Sequence, residues 1–107
     1  MLQEIDVHQL KALLDAGDPV YLVDVRQPWE FAIGHLPGSL LVPLPELVQR
    51  AREVQPPEGA LVVTICHHGV RSLDAAFLLS RIGLRVASLA GGIDHWSAEI
   101  DPAIPRY

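Results

Sequence analysis

A chain of 107 residues, half of them apolar, has material for one domain with its own core and needs neither disulfides nor a structural metal to hold it. Its net charge of −5, with Lys11 the only lysine, argues against nucleic acid or an anionic membrane surface as the main partner. One cysteine excludes an internal disulfide, the opening residues hold no basic region or signal-length apolar stretch, and no run could span a bilayer, so the expected location is the cytoplasm.

Asp6 can cap a first helix bearing Val7, Leu10, Leu13 and Leu14, with Gly17 as its stop. The run from Val20 to Val25 is short and β-branched, which predicts a buried strand. Pro28 suits the first turn of a brief helix through Trp29, Phe31 and Ala32. Gly34 to Gly38 is turn chemistry, and Ser39 to Val42 reads as another short strand. Pro45 can open a helix through Leu47, Val48 and Ala51, closed by Pro56-Pro57-Glu58-Gly59. Leu61 to Ile65 is the most convincing central strand. From Ser72 to Ile82, Ala75, Ala76, Leu78, Leu79 and Ile82 make one apolar helical stripe that stops at Gly83. Arg85 to Leu89 is a further strand, and Gly91-Gly92 leads into a short helix bearing Ile93 and Trp96. Strands alternating with helices predict an α/β sandwich with a mainly parallel sheet, in a single domain over 1–107. Residues 101–107 read as an ordered or semi-ordered tail.

Ligands of such sheets bind at the carboxyl ends of the strands, where Cys66 falls. The segment Cys66-His67-His68-Gly69-Val70-Arg71-Ser72 should curl into a loop that opens onto a helix N-terminus. There, free backbone N–H groups and the positive end of the helix dipole stabilise an anion. Such a setting lowers a cysteine's pKa and makes its sulfur a nucleophile near neutral pH. Free cysteine is also commonly an inert part of a core, and that alternative stays open; Gly69 and Arg71 in the same loop weigh toward sulfur or phosphate-type chemistry.

Four blocks resemble the rhodanese-like family in its own order. They are Leu22-Val-Asp24-Val-Arg26-Gln-Pro-Trp-Glu30-Phe-Ala-Ile-Gly34-His35-Leu-Pro-Gly38, the Cys66–Ser72 loop, Leu89-Ala-Gly91-Gly92-Ile-Asp-His-Trp96, and Asp101-Pro-Ala-Ile-Pro-Arg-Tyr107. The last is similar to the tail of rhodanese domains associated with ubiquitin-activating-like adenylyltransferases. The resemblance implies a three-layer α/β sandwich whose central, mainly parallel five-stranded sheet is flanked by helices. It also implies a thiosulfate sulfurtransferase that needs no cofactor. Cys66 would take sulfane sulfur from thiosulfate or a persulfide donor, hold it as a persulfide, and pass it to cyanide, a thiol, thioredoxin or a sulfur-carrier protein.

The residues agree with that chemistry. A persulfide anion needs several donors, and the backbone N–H groups from His67 through Ser72, Val70 included, could cradle it. Arg71 adds a positive charge and a fork for thiosulfate oxygens, or alternatively braces loop carbonyls. Four residues separate Cys66 from Arg71, whereas related phosphatases and arsenate reductases have five. The shorter loop suits one sulfur atom, which leaves phosphatase or arsenate-reductase chemistry second. Inactive members that serve as binding modules typically lack the cysteine, which is present here.

Asp24 and Arg26, two apart at a strand end, point the same way and could tune the site or form structural ion pairs, Arg26 with Glu30. His35 is read as a hydrogen-bonded turn residue ahead of a catalytic base. His67 and His68 could gate the sulfur or steer anions when protonated, or simply be a solvated pair. His8 and His95 read as surface residues, and Trp29 and Trp96 as core or pocket-rim aromatics. No histidine pair has the spacing of a zinc ligand set, so no metal is expected.

Overall fold

The computed structural model describes residues 3–107. Ten regular elements follow one another: β1 (Gln3–Ile5), α1 (Val7–Asp15), β2 (Val20–Asp24), α2 (Pro28–Ile33), β3 (Leu40–Leu41), α3 (Leu47–Arg50), β4 (Leu61–Ile65), α4 (Arg71–Ser80), β5 (Val86–Leu89) and α5 (Gly92–Glu99). The strands form one sheet in the order β1-β5-β4-β2-β3, and every pairing is parallel. With all carboxyl ends on one edge, the loops that follow β2, β4 and β5 share a single face of the domain.

Strand periodicity sorts the core into two layers. Leu61, Val63 and Ile65 of β4 face a cluster with Leu10 of α1 and Ile93 and Trp96 of α5. Val62 and Cys66 face the other way, against Leu47 of α3 and Ala75, Ala76 and Leu79 of α4. Cys66 therefore continues the α4 face of the central strand, with only 1% of its surface exposed. Among the described residues no helix is long and apolar enough to cross a membrane.

Helix α1 begins where expected, because Asp6 accepts from Gln9 N while the Gln9 side chain accepts from Asp6 N, each at 2.8 Å. Elsewhere the boundaries move. Periodicity singles out four strands; the fifth, β1, is three residues long with Ile5 its only buried one, too little to show a pattern. The helix expected from Pro45 through Ala51 is a four-residue α-turn between two 3₁₀ turns, Leu44–Glu46 and Ala51–Glu53. Ile82 lies beyond the end of α4 and is exposed, so the apolar stripe ends at Leu79.

The 101–107 segment is ordered against the domain. Ile104 is buried in the α1–α5 layer, Ser97 Oγ donates to its carbonyl, and Arg106 pairs with Asp94 at 3.0 and 3.1 Å.

Candidate functional site

The chain leaves β4 at Ile65 and reaches α4 at Arg71, so Cys66 and the four residues after it form a tight loop over the carboxyl end of the sheet. The carbonyls at its start are turned toward α5: Ile93 N donates to Cys66 O at 2.9 Å and Asp94 N to His67 O at 3.1 Å. That approach requires glycine at the start of α5. Gly92 has φ +62°, and a Cβ there would lie 2.4 Å from His67 O and 2.5 Å from Cys66 O. Gly69 is equally constrained, with φ +101° and a hypothetical Cβ 3.0 Å from Gly91 N.

Gly69 N donates to Cys66 Sγ at 3.0 Å, and the thiol donates to Ser72 Oγ at 3.3 Å. Ser72 is itself fixed: its hydroxyl lies 2.7 Å from Ser88 Oγ of β5, and its carbonyl accepts from Thr64 Oγ1 at 2.8 Å. Thr64, Ser72 and Ser88 are all fully buried, so this polar stack beneath the sulfur is rigid and satisfied. Of the loop N–H groups expected to cradle the sulfur, Gly69 alone reaches it. Those of His67, His68, Val70, Arg71 and Ser72 have no protein acceptor among the described residues.

Arg71 occupies the first turn of α4, but its fork is not open. Nη1 and Nη2 donate to Glu30 Oε1 at 2.6 Å and Oε2 at 2.9 Å. Glu30, buried on α2, also accepts from Gln27 N at 2.9 Å and from the Tyr107 hydroxyl at 2.7 Å. The Arg71 fork, with help from Gln27 and Tyr107, outweighs burial and holds the Glu30 carboxyl down to about 2. The same Glu30 contact raises the Arg71 guanidinium above its usual range, so both stay charged.

Arg26 turns to Asp24 instead of the Glu30 carboxylate. Its Nε and Nη2 donate to Asp24 at 2.9 and 2.7 Å, and its remaining donors go to the carbonyls of Glu30 and Gly34 and to Tyr107 Oη. Both partners are fully buried, which makes this pair a brace under the site, and neither side chain hydrogen-bonds the sulfur. His35 is exposed, stacked on Phe31, and donates through Nδ1 to the Phe31 carbonyl at 2.9 Å, a turn contact with no link to Cys66.

The two loop histidines part company. His68 is exposed, with Nδ1 4.0 Å from Asp94. His67 is sandwiched between the rings of His68 and Tyr107, each 3.9 Å away, and its buried Nε2 has no partner among the described residues. Burial, reinforced by His68, pushes the His67 imidazole below its usual range, which disfavours the protonated form expected to steer anions. Val70 and Trp29 are exposed at 72% and 62%, so Trp29 is a surface aromatic set edge-on to Tyr107, while Trp96 is core.

Glu30 as the partner of Arg71, the Ser72–Ser88 contact and Tyr107 are the site features that sequence reasoning missed. Among the described residues no group of three or more His, Cys, Asp or Glu side chains could hold a metal ion. A hollow of about 540 Å³ lies at the opposite, amino end of the sheet, by Val20, Leu61 and Arg85, and does not include the cysteine loop.

The fold recurs among known proteins. The pattern that defines the rhodanese-like domain matches residues 6–99. A sulfurtransferase of Allochromatium vinosum is 38% identical over 98 residues, covering 91% of this chain and 90% of that protein. The adenylyltransferase and sulfurtransferase uba4 of Ogataea parapolymorpha is 36% identical over 95 residues, covering 88% of this chain but 24% of the relative. The human single domain sulfurtransferase TSTD1 superposes with a TM-score of 0.76 at 28% identity, over 92% of this chain and 98% of that one.

Proposed function

The chain belongs to the rhodanese-like domain family, as a member of its sulfurtransferases, and from that premise we propose that Cys66 carries sulfane sulfur from an anionic donor to an external acceptor. The observation that carries this reading is the Gly69 N–H held 3.0 Å from a buried Cys66 Sγ at the carboxyl end of β4. A donor amide already aimed at the sulfur stabilises negative charge there without reorganisation.

With thiosulfate as donor, the Cys66 thiolate attacks the sulfane sulfur. A new S–S bond forms, the thiosulfate S–S bond breaks, and sulfite leaves with the electron pair. The resulting Cys66 persulfide is anionic, and the loop N–H groups without a protein acceptor supply further donors for its terminal sulfur. Cyanide, a thiol or a thioredoxin thiol then attacks that sulfur, takes it up and returns the Cys66 thiolate. Cys66 is the only cysteine, so no internal thiol can resolve the persulfide and the sulfur must leave to another molecule. A reducing cytoplasm suits this cycle, and no cofactor enters it.

Two features weigh against phosphate chemistry at the same loop. Only four residues separate Cys66 from Arg71, and the Arg71 fork that a phosphate would need is closed on Glu30. The expected result is thiocyanate formed from thiosulfate and cyanide, with aryl phosphate hydrolysed far more slowly by the same protein. Faster release of phosphate than of thiocyanate would overturn the proposal.

A further inference from the structure

We infer that Tyr107 is a positioning residue: by binding Glu30 it sets how Arg71 presents its charge to an anion approaching Cys66. The inference rests on the reading of Cys66 and Arg71 just given and extends it to a residue 36 positions beyond Arg71.

The Glu30 carboxylate accepts four hydrogen bonds, two from Arg71, one from Gln27 N and one from the Tyr107 hydroxyl. Among the described residues, Tyr107 is thus the only side chain besides Arg71 that holds this carboxylate. The same hydroxyl accepts from Arg26 Nη1 at 3.0 Å, and Arg26 is locked onto Asp24 in the buried brace. One phenol therefore links two ion pairs, a fully buried one and one whose arginine is 35% exposed at the site. Its ring meanwhile lies 3.9 Å from the His67 ring, nearly parallel, so Tyr107 touches the loop beside Cys66 and, through Glu30, at Arg71.

The segment that delivers it is built to do so. Ile104 is buried, Arg106 holds Asp94, and a Cβ on Gly34 would lie 3.1 Å from both Ile104 and Pro105. Tyr107 is 37% exposed, and beside its ring contacts its hydroxyl binds Glu30 and Arg26, which packing alone does not call for. Without that hydroxyl, Glu30 Oε2 loses its competitor for Arg71. The carboxylate then closes more tightly on the guanidinium and leaves less positive charge for a donor.

Tyr107→Phe tests this, since it keeps the ring on His67 and deletes only the hydroxyl shared by Glu30 and Arg26. Cys66 is alkylated with anionic iodoacetate and with neutral iodoacetamide, and the ratio of the two rates reads the field of Arg71 at the sulfur; Arg71→Ala sets its floor. In Tyr107→Phe the ratio should fall about three- to tenfold toward that floor, less than a directly lost charged hydrogen bond would cost. The KM for thiosulfate should rise by a similar factor while kcat stays within about twofold. A ratio and KM both within about twofold of the wild type would overturn the inference, as would equal slowing with both reagents, the mark of a purely structural role. Should the protein take no sulfur from thiosulfate, the proposed function fails, yet the alkylation ratio still decides the role of Tyr107.

Discussion

Arg71 enters the site already paired, and the pairing has a thermodynamic consequence at Glu30. That carboxylate is almost wholly buried, so it stays ionised only because Arg71, Gln27 N and Tyr107 bind it. Its folded-state pKa lies near 2 against an ordinary 4.5. A depressed carboxylate contributes stability that is complete above the unfolded value and is lost as pH falls through the folded one. The window is therefore about 4.5 down to 2, and the contribution is on the order of 3 kcal/mol before solvent screening at the partly exposed Arg71 end. Urea midpoints should show Glu30→Gln well below the wild type near neutral pH, with the gap narrowing through that acid window. A gap that stayed constant would mean that the carboxylate charge carries no stability. The pairing is not legible in the sequence: Arg26, four residues from Glu30, is the nearer cation, while Arg71 is 41 residues away and meets it only because α2 and α4 share the carboxyl edge of the sheet.

At the scale of elements, the loop is shaped by the helix that follows β5. The amino end of α5 places Ile93 N and Asp94 N on the carbonyls of Cys66 and His67, which directs these two acceptors away from the sulfur. Gly92 makes the approach possible, and Gly92→Ala meets both a left-handed φ and two backbone oxygens inside contact distance. Neither oxygen can move without breaking an α5 bond, so the substitution should cost at least about 1–3 kcal/mol. It should also change the alkylation rate of Cys66 in the protein that remains folded. A variant with unchanged melting temperature and unchanged alkylation would contradict this account of the loop. The strand–loop–helix around Cys66 was readable because an apolar run, a glycine and an amphipathic stripe follow in order. The first strand was not: β1 holds three residues, too few for a period, and the 3₁₀ turns on either side of α3 leave a single helical turn where a longer helix is expected, whereas β3 falls inside the run from Ser39 to Val42.

At the scale of the molecule, an all-parallel sheet gathers β2, β4 and β5 at one edge, and with them Arg26, Cys66 and the start of α5. The 101–107 segment returns to the same edge and completes it with Tyr107, a placement no periodicity could have indicated because it depends on tertiary contacts alone. The result is a small domain with one thiol, a fixed donor on that thiol, and no second cysteine. Sulfur gained at Cys66 should therefore persist until another molecule removes it. Intact mass after thiosulfate treatment tests this most directly. The wild type should gain the mass of one sulfur and lose it on adding cyanide, while Cys66→Ser should gain none. No adduct on the wild type, or the same adduct on Cys66→Ser, would contradict the account.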